Sequence, residues 1–205
     1  EAEAVKILEN SFRNVNIAFV NEIARSFDKL GIDVKDVIDG AATKPFAFMK
    51  HYPSCGVGGH CIPVDPYYLV ERAKESGFNH EFLKLAISTN EGMPAYTVER
   101  LQDALNEMTL PMKDTVVGVL GLAYKANIDD QRESPAFEII DHLKEHQCTV
   151  LTFDPHVLDL SSEKSLEEIL EKSDALVIAT DHSAFKDVLT PELLKKHNIK
   201  AIVDG

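Results

Sequence analysis

Apolar side chains recur at three- and four-residue intervals along the first thirty positions of the chain. The series begins at Val5, continues through Phe12 and Phe19 and ends at Leu30, a spacing that places its members on one face of a helix. Gly31 is a suitable stop for this helix. At 1.5 Å per residue the helix would be roughly 45 Å long. A helix of that length needs a second body to cover its apolar face, whether another domain or another subunit.

Shorter helices and one irregular segment are predicted for the rest of the first half. Asp33 can cap a helix that ends near Gly40, and further helices are expected from 66 to 77 and from 80 to about 108, the last interrupted at Gly92. Residues 41–53 lose the helical period, but they are too apolar for an idle surface loop and their two lysines suit an anionic ligand. The alternative is that the aromatic residues of this segment only cover a hydrophobic face.

The pattern changes after Pro111, where continuous apolar runs alternate with helical segments. The run from 115 to 121 is typical of a buried parallel strand. Further strands are predicted at 148–153, 175–180 and 200–203, and helices at 135–146, 166–171 and 191–197. Such alternation indicates a doubly wound α/β domain. We therefore predict an all-helical domain over residues 1–110, followed by a Rossmann-like, doubly wound parallel-sheet domain over residues 111–205.

Composition narrows the class of protein. The chain is 44% hydrophobic and 27% charged, which is ordinary for a globular protein, and its formal net charge of -13 disfavours nucleic acid or an anionic membrane as a partner. No apolar run approaches the ~20 residues of a membrane span, and no signal peptide opens the chain. Three cysteines without paired spacing favour a reducing compartment. We expect a cytoplasmic protein.

The candidate chemistry is concentrated in a glycine-rich segment, residues 56–66. Three glycines in four residues allow a ligand to approach the backbone closely, and prolines at 63 and 66 are expected to prevent a helix or a central strand. The rigid loop predicted in this way displays the Cys61 thiol beside the His60 imidazole. A cysteine becomes a competent nucleophile when neighbouring cations or N–H donors favour its thiolate. The alternative, a small buried apolar residue, would not require so many glycines.

A second polar segment, residues 122–135, follows the first predicted strand. Ligands of parallel sheets gather at the carboxyl ends of the strands, so Lys125 and Arg132 are placed to meet an anion. Ser134 and Pro135 form a suitable cap and first turn for the next helix. A charged surface loop with internal Asp–Arg pairs is the simpler explanation of these residues taken alone.

Other motifs are missing or weak. The glycines at 56–58 and at 118–121 do not have the spacing of the dinucleotide fingerprint G-x-G-x-x-G. A metal site from the histidines and cysteines at 51, 55, 60 and 61 lacks C-x-x-C spacing, and adjacent ligands in a glycine loop are awkward, so no metal is expected. No Ser/His/Asp order supports a hydrolase, and His182 and His197 are expected at the surface.

Residues 56–68, which end in Tyr67-Tyr68, resemble the catalytic-cysteine loop of the nucleotide-sugar 6-dehydrogenases, the UDP-glucose/GDP-mannose dehydrogenase family. Residues 1–10 and 122–135 resemble two further motifs of that family. The resemblance implies two NAD-dependent oxidations of a sugar C6 alcohol to a carboxylate, in which Cys61 captures the aldehyde and then forms a thioester. It also implies that Lys6 and Asn10 stabilise charge at the C6 oxygen and that Asp65 orients or activates the water that cleaves the thioester.

The same resemblance implies binding residues and partners. Contacts with a UDP-sugar are implied for Lys44, Tyr52, Ser54, Gly58, His60, Tyr124 and Lys125, and a cofactor contact for Arg132. Lys44 stands where UDP-glucose members carry an arginine that reaches the substrate of the neighbouring subunit. NAD would be bound mainly by a domain that precedes the opening helix in the family. A homodimer would form through the helical domain, and residues 111–205 would be the UDP-binding domain.

Substrate choice and the alternatives also come from the resemblance. His60 and residues 64–68 resemble the N-acetylhexosamine branch, whereas the UDP-glucose branch usually carries lysine at the position of Val64. UDP-N-acetylglucosamine is therefore the first expectation, UDP-N-acetylmannosamine the second and UDP-glucose the alternative. Since the family's NAD domain and the arginine after its Asp-Gly lie outside residues 1–205, these residues alone are expected to be inactive. A non-catalytic UDP-sugar-binding dimerisation module stays open, as does a redox sensor using Cys55 and Cys61.

Overall fold

The computed structural model describes all of residues 1–205, which form two compact units, Glu1–Met93 and Pro94–Gly205. The first unit is entirely helical and the second contains a parallel β-sheet. The predicted fold class, a helical domain followed by a Rossmann-like α/β domain, is confirmed. The domain boundary between residues 110 and 111 stays a prediction. No helix combines the length and hydropathy that a membrane crossing requires.

Four helices form the first unit: α1 (Ala2–Leu30), α2 (Val34–Ala42), α3 (Cys61–Glu75) and α4 (Glu81–Glu91). The predicted stop of α1 is confirmed, because Gly31 adopts the left-handed conformation with φ of 68° and bonds back to the last turn. The Asp33 side chain caps α2 by accepting hydrogen bonds from the amides of Lys35 and Asp36. α1 packs against both α3 and α4, so it is the central element of this unit.

The face of α1 that is buried is not the apolar one. Its buried side chains include Asn10, Asn14 and Asn21, whereas Leu8 is 69% and Phe19 is 59% exposed. Four exposed apolar residues of α1 follow one stripe, which we call the α1 stripe: Val5, Leu8, Phe12 and Phe19. The helical period was predicted correctly, but within this unit the packing selects the opposite, polar face.

The expectation that prolines prevent a helix after the glycine loop is wrong. α3 begins at Cys61 and runs through both Pro63 and Pro66. Pro63 lies in the first turn, where the amide N–H has no partner within the helix, so its missing donor costs nothing. Pro66 does remove one helical hydrogen bond, and the carbonyl that it leaves without a donor is that of Ile62, four residues earlier. The predicted loop is therefore shorter and ends at His60.

The second unit is built on four parallel strands. They are β1 (Val116–Leu120), β2 (Thr149–Phe153), β3 (Ala175–Ile178) and β4 (Ala201–Asp204), in the order β2-β1-β3-β4. The helices are α5 (Met93–Glu107), α6 (Pro135–Glu145), α7 (Leu166–Lys172) and α8 (Pro191–Lys196). Buried Leu120, Phe153, Ile169, Leu170, Leu176 and Phe185 form a core cluster of this unit. In this strand order the carboxyl ends of β1, β2 and β3 lie side by side at one edge.

Candidate functional site

Cys61 is the one exposed cysteine of the chain. It is the first residue of α3, and His60, which precedes it, is also exposed. Cys55 and Cys148 are buried, and no disulfide joins the three. Burial raises the pKa of the Cys148 thiol, so that thiol is a poor nucleophile. The N-terminus of a 15-residue helix favours negative charge through its dipole and its unpaired amides, which suits Cys61 to nucleophilic chemistry.

Two of the predicted catalytic residues meet next to Cys61. Asn10 Nδ2 donates a hydrogen bond of 2.6 Å to Asp65 Oδ2. Asn10 is 3% exposed, whereas Asp65 is partly exposed and lies one turn after Cys61 on α3. Lys6 is exposed one turn before Asn10 on the same face of α1. α1 and α3 thus present an amide, a carboxylate, an ammonium and a thiol in one region of the helical unit.

Buried asparagines of α1 also hold the chain on either side of the three glycines, at Ser54 and at Ile62. Asn14 Nδ2 donates to the carbonyl of Ile62 at 3.2 Å, and Asn21 Oδ1 accepts from the amide of Ser54 at 2.9 Å. Asn90 of α4 links the two, since its amide group donates to the Asn14 carbonyl at 3.1 Å and accepts from Asn21 at 2.9 Å. We call Asn10, Asn14 and Asn21 the asparagine face of α1. Sequence reasoning missed its last two members, although their three- and four-residue phase with Asn10 was visible.

The remaining predicted residues of the first unit lie on its surface or in the glycine-rich segment. Lys44 is exposed and its Nζ lies 5.0 Å from the centre of the Phe46 ring. The Tyr52 hydroxyl donates to Asp39 at 2.5 Å, and this bond, together with one from Lys50, holds the pKa of Asp39 below its ordinary value. Ser54 and Gly58 are partly exposed within the same segment as Cys61, and the Ser54 hydroxyl donates to the carbonyl of residue 56 at 2.8 Å.

The polar segment after β1 is folded by its own contacts. The amide of Tyr124 donates to the carbonyl of Asp130 at 2.9 Å. The Arg132 guanidinium contacts both carboxylate oxygens of Asp130, which holds the pKa of Asp130 below its ordinary value. Lys125 is exposed, and the Ser134 hydroxyl caps α6 as predicted. The Asp–Arg pairing considered for this loop is therefore present. The charged side chain of Lys125, in the same loop, is exposed to solvent.

A buried Asp–His pair joins the ends of three strands. Asp154, directly after β2, accepts from the amides of Leu122 at 2.6 Å and Ala123 at 2.9 Å, both of which follow β1. It also accepts from the His156 amide at 2.7 Å, and His182 Nε2 lies 3.0 Å from the same Oδ2 oxygen that binds the β1 amides. Burial raises the pKa of Asp154, but these hydrogen bonds outweigh it and hold the pKa below its ordinary value.

The expected surface position of His182 is wrong. The residue is 0% exposed, and its Nδ1 accepts a hydrogen bond of 2.9 Å from the amide of Asn127. Since Nδ1 accepts, the proton lies on Nε2 and points at the Asp154 carboxylate. His197 is also largely buried, with a side chain 6% exposed. Sequence reasoning missed the pair because its partners are 28 residues apart and no motif connects them.

A cleft of about 440 Å³ lies beside the segment that follows Asp154. It is lined by Asp129, Gln131, Pro155, His156, Val157, Leu158, Asp159 and Leu160. The cleft lies where the segments after β1 and β2 meet, the edge at which parallel sheets bind ligands. No group of three or more His, Cys, Asp or Glu side chains is arranged to hold a metal ion.

Two glycines of the sheet domain allow close packing, one within β1 and one directly after it. A Cβ on Gly118 would lie 2.7 Å from Ser173 Oγ, and one on Gly121 would lie 2.5 Å from Thr180 Cβ. A larger residue at either position would therefore push neighbouring parts of the sheet domain apart.

Comparison with known proteins agrees with this architecture. Residues 1–92 match the model of the central domain of the UDP-glucose/GDP-mannose dehydrogenase family, and residues 118–205 match the model of its UDP-binding domain. The two units are thus of the central and UDP-binding domain types found in nucleotide-sugar dehydrogenases. The chain belongs to the UDP-glucose/GDP-mannose dehydrogenase family, as the sequence motifs predicted.

Named relatives refine the comparison. The chain is 41% identical to the UDP-N-acetyl-D-mannosamine dehydrogenase of Pyrococcus horikoshii, over 100% of this chain and 47% of that protein. It is 37% identical to the UDP-N-acetyl-D-glucosamine 6-dehydrogenase of Pseudomonas aeruginosa, over 91% of this chain and 45% of the relative. The solved NDP-N-acetyl-D-galactosaminuronic acid dehydrogenase of Methanosarcina mazei has a TM-score of 0.91 at 30% identity, covering 100% of this chain and 46% of its own. The chain spans about half the length of these relatives.

The Asp154 contacts predict a specific acid sensitivity. A carboxyl whose pKa is lowered by folding stabilises the protein fully above its unfolded pKa of ~3.9 and loses this contribution as pH falls through the folded value. Asp154→Asn should lower the free energy of unfolding at pH 7 by about 1–3 kcal/mol, because the buried amides of Leu122 and Ala123 lose a charged acceptor. The deficit should shrink below about pH 4, where Asp154 of the unfolded wild-type chain begins to protonate while the folded carboxyl is still charged.

Urea unfolding followed by circular dichroism between pH 3 and 7 measures this effect. Asp159→Asn, which makes the same charge change at an exposed position after β2, is the matched control and should alter stability little at any pH. A deficit for Asp154→Asn that stays constant across the range would contradict the expectation.

Proposed function

We propose that residues 1–205 are the C-terminal portion of an NAD-dependent UDP-N-acetylhexosamine 6-dehydrogenase. Such an enzyme oxidises the sugar C6 alcohol to the uronic acid in two steps through a thiohemiacetal and a thioester on Cys61. The observation that supports this most strongly is the 2.6 Å hydrogen bond between Asn10 and Asp65. It joins two proposed catalytic residues, 55 positions apart, within one turn of the exposed Cys61.

Cys61 has the properties that the covalent steps need. After the first oxidation C6 is an aldehyde, and its carbon is open to attack by a thiolate, which gives a thiohemiacetal. The second oxidation of that adduct leaves a thioester, and water releases the acid and the thiol. Two NAD molecules, bound one after the other, would each accept one hydride. The exposure of Cys61 allows a terminal sugar carbon to reach the sulfur.

Asn10, Lys6 and Asp65 divide the remaining work. The Asn10 amide carries two N–H donors, one of which holds Asp65. The second, together with the Lys6 ammonium, can stabilise negative charge that develops on the C6 oxygen. Because Asn10 is buried, its orientation is fixed before substrate arrives. The Asp65 carboxylate, held on one oxygen by Asn10, keeps a second oxygen with which to orient the water that cleaves the thioester.

Contacts with the nucleotide sugar are proposed for residues of each unit, considered separately. Tyr124 and Lys125 would contact the UDP-sugar, and Arg132 the cofactor. Lys125 is exposed at the carboxyl end of the sheet, the edge where such ligands bind. On the helical unit the proposed contacts are Lys44, Tyr52, Ser54, Gly58 and His60. The proposal that the protein is cytoplasmic rests on the lack of disulfides among its three cysteines.

A second candidate is a non-catalytic module that binds a UDP-sugar and dimerises. It is favoured by two features that need no catalysis, the match of residues 118–205 to a UDP-binding domain and the exposed α1 stripe. The two candidates differ in whether the protein reduces NAD. Expression from the complete open reading frame is needed to compare them.

A homodimer through the helical unit is supported by the α1 stripe. Four large apolar side chains with exposures between 47% and 69% follow one face of a 29-residue helix. An isolated exposed apolar residue needs no explanation, but a continuous stripe marks an interaction surface. A second copy of α1 offers a complementary apolar face, since a twofold interface pairs the same patch with itself.

Loss of the Cys61 thiol is the sharpest test of the catalytic proposal. In protein expressed from its complete open reading frame, Cys61→Ala should lower acid formation by at least ~10³-fold, as for other covalent nucleophiles, and leave the Kd for the UDP-sugar within about threefold. Acid is measured by mass spectrometry and binding by calorimetry. Cys148→Ser, at a buried cysteine whose bond to the Met112 carbonyl a serine can keep, should form acid normally. Normal acid formation by Cys61→Ala would refute the proposal.

Substrate preference is tested by following NADH with a panel of UDP-sugars. UDP-N-acetylglucosamine should give the highest kcat/KM, UDP-N-acetylmannosamine the next, and UDP-glucose a value at least ~10-fold lower, since it lacks the acetamido group. Two NADH should appear per acid formed. A preference for UDP-glucose would overturn the assignment to the hexosamine branch. UDP-sugar binding without any NADH would favour the non-catalytic module.

Charge introduced into the α1 stripe should dissociate the dimer. Burying a leucine contributes about 1.5–3 kcal/mol, and a twofold interface counts Leu8→Glu twice, so the dimer Kd should rise by at least about 100-fold. Size-exclusion chromatography with light scattering gives the mass. Lys35→Glu, an exposed position on α2, introduces the same side chain away from the stripe and should leave the mass unchanged. A monomeric wild-type protein would contradict the proposed dimer.

A further inference from the structure

Pro66 creates an unusual need within α3. Proline has no amide hydrogen, so the carbonyl of Ile62, four residues earlier, cannot receive its helical hydrogen bond. A backbone carbonyl inside a packed region normally finds another donor. Here the donor comes from a different helix, since Asn14 Nδ2 of α1 lies 3.2 Å from the Ile62 oxygen. Asn14 is 1% exposed, so no bulk water competes for the contact.

This contact fixes the peptide next to the proposed nucleophile. Ile62 directly follows Cys61 in the first turn of α3, so the bond sets the position of that turn relative to α1. Lys6, Asn10 and Asn14 are spaced by four residues along α1 and share one face. The position of Cys61 relative to Lys6 and Asn10 therefore depends on the bond that Asn14 makes one turn further along.

The side chain of Asn14 is not explained by packing alone. Its Oδ1 is buried and has no hydrogen-bond partner in the protein, and a buried unpaired acceptor destabilises a fold. A leucine of similar volume would remove that acceptor. It would also leave the Ile62 carbonyl without any donor. The bond to Ile62 is thus the one interaction of the Asn14 side chain that offsets its burial.

We propose that Asn14 is a positioning residue for the Cys61 nucleophile, acting through the Ile62 carbonyl that Pro66 leaves without a helical donor. The proposal rests on the proposed role of Cys61. It assigns Asn14 no contact with substrate. It has one specific consequence. If an amide N–H is restored at position 66, the Ile62 carbonyl regains its helical hydrogen bond, and the Asn14 amide is no longer needed.

Four proteins from the complete open reading frame test this consequence: wild type, Asn14→Leu, Pro66→Ala and the double variant. Asn14→Leu should lower kcat for acid formation by about 10- to 100-fold, the usual consequence of a small displacement of a reacting group, with KM for the UDP-sugar within about threefold. In the Pro66→Ala background the same substitution should lower kcat by no more than about threefold. If Asn14→Leu does not accumulate as folded protein, Asn14→Ala takes its place in all comparisons.

A second readout does not depend on turnover. The rate at which iodoacetamide alkylates Cys61 at pH 7, measured by peptide mass spectrometry, should fall about two- to fivefold in Asn14→Leu, the size of the effect of a helix N-terminus on a negative charge. It should recover in the double variant. Buried Cys55 and Cys148 in the same digest report unfolding.

The outcomes separate the two proposals. Wild-type kcat and alkylation in Asn14→Leu, or losses of equal size in both backgrounds, would overturn the positioning role. If Cys61→Ala forms acid normally, the proposed function fails, yet the alkylation rates still decide whether Asn14 positions Cys61.

Discussion

The structure of the helical unit depends on the polar face of α1 being buried. Asn10, Asn14 and Asn21 bind, in turn, a carboxylate, a backbone carbonyl and a backbone amide of the segment that carries Cys61. A side-chain amide is suited to this role because it both donates and accepts. Each contact anchors a different point: Ser54 before the glycines, Ile62 after them and Asp65 further along α3. Glycines give that segment freedom, and the asparagines remove it.

Burial of the polar face explains why the apolar side chains of α1 are exposed. A helix has one side to turn toward its own unit, and here that side is occupied by hydrogen bonding. The apolar α1 stripe is consequently left outside, where Leu8 is the most exposed member. The chain spans about half the length of its named relatives. The same arrangement that positions the candidate catalytic groups thus creates the surface proposed to pair with a second copy.

Sequence reasoning succeeded where the signal is local. The 29-residue helix, its glycine stop, the Asp33 and Ser134 caps and the alternation of strands and helices follow from periodicity and capping chemistry. It failed where a tertiary partner decides. Pro66 was taken to exclude a helix because the donor that compensates it, on Asn14, is 48 residues from Ile62. His182 was predicted to lie at the surface because no local sequence pattern indicates that Asp154 is its partner. The segment after β1 was predicted to bind a ligand because it resembles a motif of the family. Its charges alone are equally typical of an ordinary surface loop.

Asp154 has one more consequence, for the energetics of ligand recognition. Its carboxylate binds Leu122 and Ala123 on one side and His182 on the other, so these hydrogen bonds hold the turns after β1, β2 and β3 together. A loop that is ordered in advance loses little conformational entropy when a molecule docks on it. The free energy of contacts made there would therefore appear almost undiminished as affinity. A ligand that moves one of the three turns would also move the other two, because Asp154 connects them.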